Sequence, residues 1–386
     1  MKIQLDKDVL ADAVAWAARS LPLRPSFPIL AGLLVKAEPD IVTLSSFDYE
    51  TSAQVTIPAQ VEAPGVVLVS GKLLADITRS LPAKPVVLSS TESEVELVCG
   101  SARFVLQTLP VDDYPELPRM PKASGWVSAE DLSKAVGQVV IAAGRDELLP
   151  VFTGVKIEFD GDNLSLLATD RYRMALKQMT WNPSAQVAET SALVPGKVLS
   201  DAAKSMLSSE RITISLADVA SGEGLIGFEA EGPGGVRQIT TRLLDGEFPK
   251  LRHLMNIPGD LTVRANTQDL IAAVRRVALV AEKNTSLRMK IDQNAITLEA
   301  ARGDQAQASE AVSALVDYGA GEPPLTEAGF NPHYLLDVLS VLDTTYVHIA
   351  FTGSGKPCLV TPLADLDGEP QGDDYRHVIM LMRLSS

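Results

Sequence analysis

The sequence predicts an α+β protein made of three repeated units, each with two helices packed on antiparallel sheets. Two apolar helical signatures recur in the same order along the chain, and alternating stretches typical of strands fill the space between them. The helices are too few to connect parallel strands, so the strands are expected to pair as antiparallel hairpins. A three-fold repeat therefore organises the chain.

The first helical signature is Leu-x-x-Ala-Val, and each copy follows a short alternating stretch. The copies begin at Leu10, Leu132 and Leu270. Each copy lies in a run of apolar residues at helical spacing, which predicts a strand followed by a helix of about three to four turns. The alternating stretches are residues 3–5, 126–128 and 261–263.

The second helical signature lies further along each unit. Its copies begin at Gly71, Gly196 and Pro332, and each has Leu and Asp at its fourth and sixth positions. The intervals between these copies nearly match those between the copies of the first signature. Two independent signatures therefore share one period, which coincidence does not explain. Proline-rich joints then divide the chain into units 1–120, 121–256 and 257–386.

Strand-like stretches occupy matching places between the two helices of each unit. They cover residues 42–45, 164–167 and 296–299, and each ends near an aspartate, namely Asp48, Asp170 and Asp304. Because these aspartates follow the repeat, we expect them to form turns and caps rather than a catalytic site.

Composition excludes several classes of protein. The 386 residues are 46% hydrophobic and 22% charged, which is typical of a globular chain, and no apolar run approaches the roughly 18–20 residues of a membrane helix. Charge appears at once in residues 1–6, so no signal peptide is expected. Cys99 and Cys358 do not indicate a disulfide framework, and a cytoplasmic location follows.

No cofactor or metal site is expected, and no catalytic one. The histidines show no ligand spacing, and no carboxylates or Ser/His/Asp groups form an arrangement that would support catalysis. The glycines of residues 222–227 match a dinucleotide-binding pattern, but the Gly/Pro-rich segment after them cannot open a helix. A hydrolase with an unrecognised carboxylate site is a distant alternative.

Positive charge recurs at equivalent places although the net charge is −15. Lys72 and Arg79 are spaced to share one helix face, and Lys197 and Lys204 repeat this spacing in the second unit. The third unit has His333 and Ser340 at the corresponding places, so the pattern weakens there. Such residues form either a solvated face with internal ion pairs or a basic lining that attracts phosphates without reading bases.

These features together resemble the beta sliding clamp of bacterial DNA polymerase III. The resemblance covers all three units and rests on six strings in the family's order. They are Arg24-Pro25-x-x-Pro28-Ile29-Leu30, Arg103-Phe104-x-Leu106-x-Thr108-Leu109-Pro110, Ala168-Thr169-Asp170-Arg171-Tyr172-Arg173-Met174-Ala175, Leu244-Asp245-Gly246-x-Phe248-Pro249, Gly329-Phe330-Asn331 with Leu336-Asp337-Val338-Leu339, and Met380-Leu381-Met382-Arg383-Leu384.

The resemblance implies three DNA-clamp domains that form a ring as a head-to-tail homodimer around double-stranded DNA. The ring would tether the replicative polymerase without catalysing a reaction, and it would also bind the clamp loader and other proteins carrying clamp-binding motifs. A clamp-like peptide-binding scaffold that does not encircle DNA is the alternative.

The resemblance also assigns residues to three surfaces. The peptide-binding pocket would comprise Phe152, Thr169, Arg171, Tyr172, Arg173, Met174, Pro249, His253, Leu254, Pro357, Val378, Met380, Leu381, Met382 and Arg383. The residues expected to face DNA are Arg19, Arg24, Lys72, Arg79, Lys134, Arg145, Lys197, Lys204, Arg275, Arg276 and Lys283. The dimer interface would join Phe104 and Leu106 of one subunit to Leu279 and Val280 of the other.

Overall fold

A computed structural model describes residues 1–184, 189–217, 224–282, 285–318, 322–372 and 374–384. The predicted repeat of two helices per unit is confirmed, with one extra short helix, α4. The helices are α1 (Lys7–Ala17), α2 (Gly71–Ser80), α3 (Ala129–Val140), α4 (Pro150–Thr153), α5 (Gly196–Ser205), α6 (Thr267–Val277) and α7 (Pro332–Ser340).

The strands of the described residues form three sheets in which every pairing is antiparallel, as predicted. The five-stranded sheet has the order β5 (Gln60–Ala63), β1 (Lys2–Leu5), β7 (Val86–Ser90), β8 (Glu94–Cys99) and β9 (Ala102–Gln107). The nine-stranded sheet has the order β14 (Asn182–Pro183), β10 (Ala123–Ser128), β16 (Arg211–Leu216), β17 (Leu225–Gly232), β18 (Gly235–Arg242), β4 (Thr51–Pro58), β3 (Ile41–Phe47), β2 (Gly32–Glu38) and β6 (Gly65–Ser70).

The twelve-stranded sheet joins strands of the second and third repeats through β13 and β26, where Arg173 lies opposite Ile379. Its order is β15 (Thr190–Pro195), β11 (Gly154–Asp160), β12 (Asn163–Thr169), β13 (Arg173–Thr180), β26 (Tyr375–Ile379), β25 (Cys358–Leu363), β24 (Tyr346–Phe351), β19 (Leu261–Asn266), β22 (Ala306–Asp317), β21 (Ala295–Arg302), β20 (Leu287–Ile291) and β23 (Glu327–Phe330).

Side-chain caps fix where several of these helices begin. The Asp6 carboxylate accepts the Asp8 N–H at 2.8 Å before α1, and the Asn266 side chain accepts two backbone N–H groups before α6. Asn331 caps α7, whose first residue is the helix-compatible Pro332. Each capping residue is either the last residue of the preceding strand, as Asn266 is, or the next one, so each of these helices follows its strand without a loop.

The chain divides into two compact units. Unit 1 holds residues 1–133, 181–188 and 198–243, and unit 2 holds residues 134–180, 189–197 and 244–386. The units cut through the second repeat, because its strands pair with those of both other repeats. The division into 1–120, 121–256 and 257–386 therefore stays a prediction about the repeats.

Two further expectations can be placed on the fold. Gly222 and Glu223 of the dinucleotide-like pattern lie outside the described residues. Leu225 begins strand β17, which includes Gly227, so the pattern runs into a strand where that motif needs a helix. In the described part of the chain, no helix combines the length and apolar character needed to cross a bilayer.

Candidate functional site

A tight turn between β12 and β13 presents Arg171 and Tyr172 to solvent. The Asp170 carboxylate accepts the N–H groups of Tyr172 and Arg173, both at 3.0 Å, and the Thr169 hydroxyl accepts the Arg171 N–H at 3.1 Å. Arg171 has a φ of 81°, a left-handed conformation that costs a residue with a side chain about 1–2 kcal/mol. The hydrogen bonds offset this cost and hold the turn in one conformation.

A cavity of about 540 Å³ lies beside this turn, within unit 2. Its walls come from the segment after α3, from α4, from the turn itself and from α7. A cavity of this size accommodates a small ligand or a few side chains of an extended peptide. The lining residues are Ala143, Gly144, Arg145, Asp146, Leu149, Phe152, Asp170, Arg171, Tyr172, Arg173, His333, Tyr334 and Asp337.

Aromatic rings and a cation share the exposed part of this cavity. The Arg171 guanidinium lies 5.7 Å from the Phe152 ring centroid and 5.8 Å from that of Tyr172. Tyr172 is 55% exposed, so much of one aromatic side chain is open to a partner. Exposed aromatic groups beside an arginine are the residue types that contribute most to binding energy in protein interfaces.

Arg173 has a structural role, although it directly follows the exposed residues Arg171 and Tyr172. Its side chain is only 7% exposed, and it pairs with Asp170 at 3.1 Å and with Asp337 of α7 at 2.6 Å. The guanidinium also lies 4.3 Å from the ring centroid of Tyr334. Arg173 therefore connects the turn to α7 and fixes two walls of the cavity relative to each other.

An apolar cluster within unit 2 contains two of the predicted pocket residues, Met174 and Val378. Both are buried, so they can only form the floor of a binding site, not its exposed wall. Leu251 and Ile257 pack against the cluster from the segment that follows β18. The buried members of the cluster are Leu167, Met174, Leu176, Leu193, Phe248, Met255, Ala350, Leu359 and Val378.

The C-terminal segment continues from β26 past the turn. Met380 is exposed and lies next to the turn, because its N–H donates to the Tyr172 carbonyl at 2.8 Å. The Met382 N–H donates to the Gly329 carbonyl at 2.9 Å. Met382 and Arg383 line a second cavity of about 760 Å³, with residues of β20, β21 and β22.

The remaining predicted pocket residues lie on segments that border the apolar cluster. His253 is exposed and Leu254 half-buried on a 3-10 helix, Arg252–Met255, whose last residue belongs to the cluster. Pro249 follows Phe248 of the cluster, while Pro357 precedes β25. Leu381 lies between Met380 and Met382 and is half-buried.

Sequence reasoning missed the contribution of α7 to the cavity. His333, Tyr334 and Asp337 line it, although no residue of α7 is among the predicted pocket residues. A signal was present, because His333 stands where the first two repeats have Lys72 and Lys197. The loss of the repeated lysine at His333 indicates that this face of α7 has a different function from those of α2 and α5.

The largest pKa shifts belong to groups in the core of unit 2 and not to the cavity. The Tyr375 hydroxyl donates to the Gln138 carbonyl at 3.1 Å and lies 2.9 Å from Nδ1 of His377. Complete burial raises the pKa of Tyr375 and lowers the pKa of His377 to about 3. These groups thus stay neutral and serve packing. Among the described residues, no group of three or more His, Cys, Asp or Glu side chains could hold a metal ion.

The ten described members of the predicted DNA-facing set are all exposed. On α2, Lys72 and Arg79 lie on the face opposite the buried Leu74 and Ile77, as their spacing predicted. Lys197 and Lys204 take the same places on α5. Lys283 lies outside the described residues.

Some of these basic residues have acidic partners within the chain. Lys134 pairs with Asp343 at 2.5 Å and lowers the pKa of that carboxyl, while Arg79 lies 3.7 Å from Asp76. Arg276 pairs with Glu310 of β22. Exposed pairs of this kind add little to stability, so phosphates can compete for these cations.

Two of the open strand edges in the described chain bear on the predicted dimer interface. β9 is an edge strand of its sheet, as expected of the predicted dimer interface. Leu106, however, is only 3% exposed, so the half-buried Phe104 offers more surface to a partner. In β22, residues 306–313 pair with β21 alone. Leu279, on the 3-10 helix Ala278–Val280, is 78% exposed, and Val280 is half-buried.

Repeated two-helix, antiparallel-sheet units with basic helix faces and a cavity of peptide size define the class of DNA clamps. Family models of the DNA polymerase III beta subunit match the chain in order: the N-terminal domain at residues 1–118, the central domain at 126–250 and the C-terminal domain at 258–383. The chain belongs to the DNA polymerase III beta subunit family.

Similar proteins and structures carry the same description. A beta sliding clamp from Streptomyces coelicolor is 48% identical over 100% of both chains. A Pseudomonas aeruginosa sliding clamp bound to griselimycin is 25% identical over 100% of both chains, with a TM-score of 0.87. The Bacillus subtilis sliding clamp structure, at 24% identity and 100% coverage of both chains, has the same fold with a TM-score of 0.89.

Membership of this family gives the function. Beta sliding clamps are non-catalytic subunits that encircle duplex DNA and confer processivity on the replicative polymerase, and they assemble as ring-shaped homodimers. They recruit further replication and repair proteins through a peptide-binding pocket. The prediction of a non-enzymatic sliding clamp is thereby confirmed.

Proposed function

We propose that the 540 Å³ cavity and the adjoining apolar cluster form the peptide-binding site of this chain. The main support for this proposal is the rigid turn between β12 and β13. This turn holds exposed Arg171 and Tyr172 beside Phe152 even without a ligand. A pre-organised site loses less conformational entropy on binding. Met380 and Met382 of the C-terminal segment supply adaptable apolar surface, which suits partners of different sequence.

Several partners share this site in our proposal. They are the catalytic subunit of the replicative polymerase, the clamp loader and other proteins with clamp-binding motifs. The similar Pseudomonas aeruginosa clamp bound to griselimycin supports the view that clamps of this fold take up ligands. As a replication factor acting on chromosomal DNA, the protein would work in the cytoplasm.

The basic residues of the helices form the DNA-facing surface in this proposal. Lys72, Arg79, Lys197 and Lys204 repeat one charge pattern on α2 and α5, and none of these four side chains is buried. The other members are Arg19, Arg24, Lys134, Arg145, Arg275, Arg276 and Lys283. Contacts from such side chains to phosphates carry no sequence information, which permits movement along any duplex.

The homodimer would close where open strand edges meet. We place β9 of one subunit beside the free half of β22 of the other, with Phe104 near Leu279 and Val280. Exposed strand edges promote aggregation when they stay unpaired. A head-to-tail contact that closes after two subunits satisfies both edges.

Retention on DNA circles tests encirclement by this chain. The protein is loaded onto a nicked plasmid circle, the circle is then linearised, and retained protein is measured by gel filtration. A ring should stay on the circle and leave the linear form within the time of the column. Equal retention on both forms would instead support the alternative, a clamp-like scaffold that binds peptides without encircling DNA.

A further inference from the structure

A loop of the first repeat has the same construction as the loop that carries Phe152. Phe27-Pro28-Ile29 precedes Leu149-Pro150-Val151 by the same interval that separates Leu10 from Leu132 in the first helices. In both loops the proline begins a short helix, and the glycine after that helix begins a strand, at Gly32 and Gly154. Unit 1 therefore repeats one wall of the cavity of unit 2.

The turn beside the cavity is repeated at the same interval. The Asp48 carboxylate accepts the Glu50 N–H at 3.0 Å and the Thr51 N–H at 2.7 Å, as Asp170 does in the second repeat. Tyr49 has a φ of 76°, close to the 81° of Arg171. Strained residues of this kind concentrate at functional sites, where the surrounding structure keeps them in place.

The apolar floor is repeated as well. Tyr114-Pro115 and Leu117 correspond in type and spacing to Phe248-Pro249 and Leu251. The Leu109 N–H donates to the Leu68 carbonyl at 2.7 Å, and the equivalent bond from Leu244 to Leu193 measures 2.8 Å. The buried cluster consists of Phe47, Leu68 and Tyr114, with Ile29, Leu34, Leu109, Val111 and Leu117 packed against it.

Large aromatic surface lies open above this cluster. Phe27 is 57% and Tyr49 45% exposed, and their rings meet edge to face with centroids 6.4 Å apart. The Tyr49 ring also lies 5.7 Å from that of Phe47 in the cluster. Phe27, Tyr49 and the half-buried Ile29, Val111 and Leu117 are called the aromatic patch below.

The surroundings of the aromatic patch are more acidic than the equivalent places in unit 2. Tyr49 stands in place of Arg171, and Glu116, which follows Pro115, stands in place of Lys250, which follows Pro249. The acidic residues on the two segments of the patch are Asp48, Glu50, Asp112, Asp113 and Glu116. The basic residues beside it are Arg24 of the loop, Arg119 just after Leu117, and Arg242, whose Nε–H donates to the Tyr49 carbonyl at 3.2 Å. Acidic groups thus predominate.

We propose that the aromatic patch of unit 1 is a second docking site, which takes an extended peptide with an apolar anchor flanked by lysine or arginine. The repeat supplies the shape of a peptide site, and the predominance of acidic groups selects the basic flank. The proposal rests on the proposed function only in that it uses the peptide site of unit 2 as its template.

Two short labelled peptides test this assignment by fluorescence polarisation with the full-length protein. Both carry a central Leu-Phe pair, and the flanking residues are lysines in one and glutamates in the other. We expect Phe27→Ala and Glu116→Lys each to weaken binding of the lysine peptide about tenfold or more, since anchors and flanking charges act at this scale. The same variants should leave binding of the glutamate peptide unchanged.

Tyr172→Ala is the matched control in unit 2. It should weaken binding of the glutamate peptide and leave binding of the lysine peptide as it is. The second site would be overturned if neither Phe27→Ala nor Glu116→Lys weakened binding of the lysine peptide. It would also be overturned if the lysine peptide did not bind at about 1 mM. If Tyr172→Ala left the affinity for the glutamate peptide unchanged, the result would instead contradict the proposed function of unit 2.

The same variants also test whether the patch binds a second copy of the chain or DNA instead of a peptide. If Phe27→Ala changes the number of chains in solution, measured by sedimentation, the patch contacts a second copy and the proposal is wrong. If it shortens retention on nicked DNA circles, the patch contacts DNA, which also overturns it. Unchanged chain number and unchanged retention, together with lost lysine-peptide binding, support the peptide site.

Discussion

Replacement of Arg173 by alanine should destabilise unit 2 far more than replacement of its neighbour Arg171. The Arg173 side chain is 7% exposed and pairs with Asp170, itself 13% exposed, and with Asp337 at 41%. Its removal leaves the nearly buried Asp170 carboxylate without a cation. Breaking a buried ion pair in this way costs about 3–5 kcal/mol.

The exposed position of Asp337 reduces this figure, because water can solvate that carboxylate after the substitution. We therefore expect a loss of about 3 kcal/mol in the free energy of unfolding. For a unit of this size the melting temperature falls by about 2–4 °C per kcal/mol, so a decrease of about 6–12 °C should be seen by differential scanning calorimetry.

Arg171→Ala is the matched control, because it lies on the same turn but is exposed, and its side chain contacts the rings of Phe152 and Tyr172. Its melting temperature should stay within about 1–2 °C of the parent protein, while its peptide affinity falls. Arg173→Lys should recover part of the stability. Equal melting temperatures for Arg173→Ala and Arg171→Ala would refute the structural role given to Arg173.

Three further outcomes follow from the described side chains. Burial lowers the pKa of His348 to about 4 and of His377 to about 3, from 6.5 in an unfolded chain. The unfolded state therefore binds protons that the folded state does not below pH 6.5, and the free energy of unfolding should fall by about 2 kcal/mol per histidine at pH 5. Urea titrations at pH 7.5 and 5 would measure this, and an unchanged stability would contradict it, with His253→Gln as the surface control. Lys72→Glu combined with Lys197→Glu should weaken transient DNA binding and reduce its salt dependence by about 0.9 per lost phosphate contact, without abolishing retention on closed circles. If the salt slope is unchanged, these two lysines do not face DNA. Leu279→Asp should convert dimers to single chains in sedimentation, because it places a charge on a 78% exposed apolar residue of the proposed interface; an intact dimer would place the interface elsewhere.

The sequence alone determined the repeated elements and the class of protein. Leu10, Leu132 and Leu270 are all buried residues of the first helix of each repeat, as their spacing predicted. The carboxylates of Asp48 and Asp170 accept backbone N–H groups in turns, as their place in the repeat predicted. Helical periodicity, turn chemistry and repeat offsets depend on residues close together in the chain, so a sequence shows them directly.

Only the tertiary structure decided which distant residues meet. Arg173 pairs with Asp337 from 164 positions away, and this contact brings α7 to the cavity. Leu106 lies on an edge strand, as a contact residue would, yet it is buried within the described chain. Strand pairing between repeats, as in β13 with β26, depends on register and on side-chain packing across the sheet. Local patterns carry no information about such partners, and for that reason the cavity could be assembled only from the folded chain.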